Sequence, residues 1–165
     1  TTRLMTGAGI PQVTAIMDAY EASQGKIPIC ADQAIRTPGD IVKALGAGAN
    51  TVMCGFLLAG TDETPGEIIV NEEYGRKFKL YRGSASYDVS LMNKGTERDI
   101  ISIEGTETLI PYKGPISPII REVLGGLASG MTHIGAMAME NLIGKADFIE
   151  ITSAGLRESE PHGKK

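Results

Sequence analysis

The stretch ICADQAIRTPGD, Ile29 to Asp40, combines residue types and spacing that could do chemistry. An apolar run ends in Asp32, and the chain then turns into a segment with helix-start signals. Turns of this kind often hold a phosphate, because backbone N–H groups and the end of the following helix face the anion. They usually carry glycine, which allows close approach and unusual φ. Here the positions are Gln33 and Ala34. Three readings stand open: a phosphate turn that tolerates side chains, one that has lost its ligand, and an ordinary strand-to-helix turn.

Other candidates are sparser. Glu97, Arg98 and Asp99 read by themselves as a solvated charged run. Tyr81 stands on the hairpin, where tyrosine is a common packing residue. His133 and His162 stand alone, without the spacing of metal ligands. Cys30 and Cys54 lie in strand-like runs and read as small buried apolar residues rather than as a disulfide or metal pair.

These residues need a scaffold. TTRLMTGAGIPQ reads as a polar loop, and Val13–Ser23 as a helix by apolar spacing. The strand IPICA leads to Asp32. Thr37 is placed as an N-cap and Pro38 at the first helical position, with glycines 46 and 48 closing the helix. NTVMCG is the next strand. Strand, helix and nearly continuously apolar strand imply a parallel sheet covered on both faces.

The pattern then changes. Residues 67–83 read as a β-hairpin turning at Tyr74-Gly75. Residues 84–114 are polar with little periodicity, as expected of a mobile flap. A helix over SPIIREVLGGLASGM follows, then a short helix at Met139–Ile143, a strand DFIEI and a polar tail. The 165 residues form a single α/β domain in this reading, too short for a closed eight-unit barrel.

Composition narrows the partners. Apolar residues are 42% and charged residues 22%, a globular balance. A net charge of −4 offers no basic footprint for nucleic acid. No run spans a bilayer and no signal peptide is evident, so the expected setting is soluble, reducing and cytoplasmic.

The segments TTRLMTGAGIPQ, IPICAD..IRTPGDIVKALGAGA, VM.G..LAGT.E.PGE, YRG..S, PYKG, GGL.SGM...GA and ITSAGLRES.PH occur in the order of one family. The sequence resembles the C-terminal half of the IMP dehydrogenase/GMP reductase family. The resemblance implies a partial (β/α)8 TIM barrel with an inserted hairpin and flap, usually within a homotetramer. It implies a purine nucleoside monophosphate at the C-terminal strand ends. IMP would go to XMP with NAD, or GMP to IMP with NADPH, through a covalent cysteine adduct at purine C2. In the family that cysteine immediately precedes the TTR segment. Here it falls before Thr1, together with the upstream strands, so either an N-terminal half completes the site or the chain is an incomplete half-barrel that only binds nucleotide or self-associates.

The family roles carry over by position. Thr2 matches a threonine that helps activate water or the leaving group. Asp32 matches the aspartate that accepts hydrogen bonds from the ribose hydroxyls. Gln33 and Ala34 replace two phosphate-facing glycines. Gly55 and Phe56 stand where the family has glycine followed by serine or glycine. Tyr81 matches a phosphate-contacting tyrosine, followed by Gly83. Ser84 and Ala85 match positions lining the base, where methionine followed by glycine or serine is usual. In the flap, Arg98 matches the dehydrogenase arginine while Asp99 replaces its tyrosine; in a reductase alignment Asp99 stands for a catalytic glutamate. The tail resembles dehydrogenases: Glu158, Ser159 and Glu160 would contribute to a K+ site, with Glu160 replacing a histidine.

Overall fold

The computed structural model describes residues 2–72, 75–83, 86 and 107–159. Helix α1 (Thr2–Thr6) opens the chain, followed by α2 (Gln12–Ser23), β1 (Cys30–Asp32), α3 (Pro38–Gly46) and β2 (Thr51–Met53). Then come β3 (Ile68–Asn71), β4 (Arg76–Arg82), β5 (Glu107–Pro111), α4 (Ser117–Ile134), a 3-10 turn (Met139–Asn141) and α5 (Ser153–Glu158).

The β1-α3-β2 unit forms as its sequence signals require. Thr37 Oγ1 accepts a hydrogen bond from Asp40 N, and Asp40 Oδ2 accepts from Thr37 N, a complete capping box with Pro38 in the first turn. Burial pushes the Asp40 carboxyl up. Hydrogen bonds from Arg36 N and Thr37, together with Lys43, outweigh that and hold it below its ordinary value. After α3 the chain returns to run parallel to β1, with Asp32 paired to Met53.

Helix α3 lies at the centre of the core. Ile41, Ala44 and Leu45 are buried with Ile16, Ala31, Ile35, Ala47, Ala49 and Leu142. Helix α4 approaches it closely. A Cβ on Gly126 would lie 2.3 Å from Pro38, and one on Gly130 would lie 2.6 Å from Val42. Glycines four residues apart put both gaps on one face of α4.

Strands β3, β4 and β5 make a separate antiparallel sheet in that order. Strands β3 and β4 fall within the residues expected to form a hairpin, and β5 falls within those expected to form a flap. Residues 107–111 are a strand, because Thr108 to Pro111 pair along Tyr81 to Phe78. Their alternation was too short to stand out from the polar text before them. The rest of that segment, apart from Ser86, lies outside the described residues up to 106.

Four more expectations change. The first segment contains α1 rather than only loop, and the tail contains α5, capped by the Thr152 hydroxyl accepting from Gly155 N. No strand forms over Asp147–Ile151, where Ile149 and Ile151 are 85% and 57% exposed with no neighbouring strand to pair with among the described residues. Strands β1 and β2 are not covered on both faces: β1 alternates exposed, buried, exposed. Cys30 is therefore exposed, and Cys54 is half-buried. Burial raises the Cys54 thiol above its ordinary value. Among the described residues no helix is long and apolar enough to cross a membrane.

Candidate functional site

Because β1 and β2 are parallel and in register, the turns that follow them leave the same sheet edge side by side. The first is Gln33-Ala34 and the second starts at Cys54-Gly55. The C-terminal edge of parallel strands is the usual place for a ligand in α/β proteins.

At the first turn the backbone adopts φ +85° at Gln33 and +61° at Ala34. Both values lie in the left-handed region that glycine fills without a Cβ clash. The turn therefore keeps a glycine-type backbone while bearing side chains. Gln33 and Ala34 are exposed, so neither side chain is folded into the core. The Asp32 carboxylate is on the open face of β1, opposite Ala31. Its carbonyl accepts from Gln12 Nε2 at 2.8 Å, tying α2 to the start of the turn.

The second turn is built differently. Leu58 and Ala59 donate back to Gly55 O, closing one helical turn after β2. Tyr81 reaches it from β4: a Cβ on Gly55 would lie 3.0 Å from Tyr81 Oη. The Tyr81 and Phe56 rings meet edge to face at 6.0 Å. Lys113 Nζ donates to the carbonyls of Phe56 (3.3 Å) and Leu57 (3.1 Å) and stands 5.7 Å from the Phe56 ring centre. Burial lowers the Lys113 ammonium below its ordinary value. Further along, Lys79 Nζ donates to the carbonyls of Thr61 and Thr64. Tyr112 Oη donates to Asp62 Oδ1, and that bond holds the phenol above its ordinary value. A cleft of about 760 Å³ opens beside these residues, lined by Gly55, Leu58, Ile69, Lys79 and Tyr81 among others.

The structure thus brings Gly55, Phe56 and Tyr81 together, and sets Asp32, Gln33 and Ala34 on the neighbouring strand end. Gly83 follows β4 directly. Ser84, Ala85, Arg98, Asp99 and Glu160 lie outside the described residues. Thr2 is in α1. Glu158 ends α5, and Ser159 donates its hydroxyl to Gly155 O at 2.8 Å. The described residues contain no group of three or more His, Cys, Asp or Glu placed to hold a metal. Sequence reasoning missed Lys79, Lys113 and Gln12. The one available signal was a lysine at an inward position of an alternating strand, since Lys79 is buried within β4.

The sequence model described as "IMP dehydrogenase / GMP reductase domain" matches residues 1–162. The chain belongs to this family. It is 46% identical to an inosine-5′-monophosphate dehydrogenase of Aquifex aeolicus, over 98% of this chain and 34% of that protein. It is 41% identical to a GMP reductase of Leishmania donovani over the same shares. A crystal structure of GMP reductase from Trypanosoma brucei, in complex with guanosine 5′-monophosphate, superposes with TM-score 0.89 at 44% identity. That match covers 99% of this chain and 34% of that one. The chain spans about a third of the length of these relatives.

Proposed function

We propose that the chain is the nucleotide-holding C-terminal part of an IMP dehydrogenase-type oxidoreductase, a portion of a (β/α)8 barrel. Its ligand is a purine nucleoside monophosphate, IMP in the forward reading. The observation that carries this is the left-handed backbone at Gln33 and Ala34, directly after Asp32, in a chain of this family. Two consecutive non-glycine residues held there cost on the order of 1 kcal/mol each. Strain of that kind persists where a defined backbone shape is used.

In this reading Asp32 accepts both ribose hydroxyls, and amides of the Gln33-Ala34 and Gly55-Phe56 turns face the phosphate. Tyr81 Oη, packed on Gly55, donates to a phosphate oxygen. Gly83, Ser84 and Ala85 follow the base edge. Thr2, Arg98 and Asp99 act on the proton and water steps. No residue of this chain is assigned the role of the nucleophilic cysteine.

A nicotinamide dinucleotide supplies or accepts the hydride when bound. Nothing in the described residues is specific to it, so it is assigned no contact and no step. A K+ ion suits oxygen donors, and Glu158, Ser159 and Glu160 offer them. The Ser159 hydroxyl donates a hydrogen bond to Gly155 O and keeps its lone pairs for a cation.

GMP reductase is the second reading, favoured by the 0.89 superposition on a GMP reductase and by a comparable identity to another. The family match leaves the two directions equal, and the dehydrogenase-like tail tips the choice. Working as a homo-oligomer in the cytoplasm goes with either reading. Calorimetric titration with IMP and with GMP tests the site. Saturable binding of at least one is expected; no heat and no thermal shift at millimolar concentrations of both would sink the proposal.

A further inference from the structure

Lys79 is buried, 6% exposed, and among the described residues its partners are backbone carbonyls rather than a carboxylate. Its three ammonium protons meet three backbone carbonyls: Thr61 O at 2.9 Å, Thr64 O at 2.7 Å and Asp62 O at 3.5 Å. The carboxylates of the caging turn have other partners. Asp62 Oδ1 accepts from Tyr112, and Glu63 Oε2 accepts from Ile116 N at 2.9 Å. Burying a charge this way costs free energy unless dipoles fully compensate it. The cage offsets that cost with carbonyl dipoles, the donors used by cation sites built from backbone oxygens.

The cage sits between two parts of the candidate site. Thr61, Asp62 and Thr64 close the turn that starts at Gly55. Lys79 lies two residues before Tyr81 in β4, on the same side of the strand. The Thr61 hydroxyl, fully buried, donates to Leu58 O, so the cage extends the Gly55–Ala59 turn without a break.

We propose that Lys79 is a positioning residue. Its ammonium is a tethered cation that folds the 61–64 carbonyls around itself and so docks β4 on the second turn, with Tyr81 Oη set against Gly55. The use of Tyr81 toward a nucleotide rests on the proposed function; the cage itself does not.

The test compares wild type with Lys79→Ala and Lys79→Met in the full chain. Lys79→Ala is expected to lower the thermal midpoint by roughly 5 °C or more. Propylammonium, which replaces the atoms removed, is expected to restore part of the loss, while tetramethylammonium, of equal charge but without N–H donors, restores none. Nucleotide affinity should fall about tenfold and recover with propylammonium alone. A midpoint equal to wild type, or equal recovery with both cations, overturns the proposal. If neither variant folds, amine acylation of the wild type decides. Lys79 modified as fast as exposed Lys26 overturns it, and Lys79 protected until unfolding supports it. If the midpoint is rescued but wild type binds neither IMP nor GMP, the cage stands and the nucleotide reading fails.

Discussion

The two turns that leave the parallel strands keep their shapes by opposite means. Gln33-Ala34 holds a left-handed backbone with exposed side chains, anchored among the described residues at its ends, by Gln12 on Asp32 O and by the Asp40 capping box. The turn from Gly55 to Thr64 is held along its length, with carbonyls of Phe56, Leu57, Thr61, Asp62 and Thr64 bound to two lysines from β4 and the segment after β5. The first turn stores strain and the second spreads its stability over contacts distant in sequence. The comparison teaches that the same local task, presenting a strand end, can be done with or without tertiary support.

The largest expected effect is in the supported turn. Thr61→Val keeps the shape of a fully buried side chain but removes its hydrogen bond to Leu58 O, and should cost about 2 kcal/mol by denaturant unfolding. A loss under a few tenths would mean that the turn does not depend on its internal bonds.

The strained turn should respond with the opposite sign. Replacing Gln33 and Ala34 together by glycine relieves two left-handed side-chain positions, partly offset by unfolded-chain entropy, for a net gain of about 1 kcal/mol. Tighter IMP binding should accompany the gain in titration calorimetry. Unchanged or weaker binding would mean that the side chains themselves contact the ligand.

The anchor of the strained turn is next. Asp40→Asn should cost about 1 kcal/mol through the capping box. The folded Asp40 carboxyl lies below its unfolded value of 3.8. Its contribution is therefore complete above that pH and disappears as pH falls through the lower folded value. In urea titrations at several pH values, the gap between wild type and variant should close only in that acid range.

Lys113→Met is expected to give the smallest change, about 0.5 kcal/mol, because its ammonium is largely exposed even though it touches two carbonyls. An effect larger than that of Thr61→Val would invert the picture of which contacts hold the second turn.

Much of this was readable from short-range rules. Thr37, Pro38 and Asp40 announce the start of α3, the apolar spacing of 13–23 announces α2, and strand-like runs on either side of Gly75 announce the hairpin. Strand β5 was not readable, because its five residues gain their pairing only from β4. The segment Asp147–Ile151 has strand-like residues and no strand partner among the described residues, the converse case. Asp32, Gln33, Ala34, Gly55, Phe56 and Tyr81 were singled out from motifs, yet no pattern in the chain indicated that Tyr81 lies on Gly55.

The order of residues alone determined the family, the β1-α3-β2 unit and the identity of the two turns, since these depend on capping, periodicity and local motif. Only the tertiary structure decided that Gln33 and Ala34 keep a glycine-type backbone and that Lys79 is enclosed by carbonyls. A φ angle and a buried charge are settled by what surrounds them. Those surroundings are assembled from residues on other elements, as when Gln12 meets Asp32 and Lys79 meets Thr61 and Thr64.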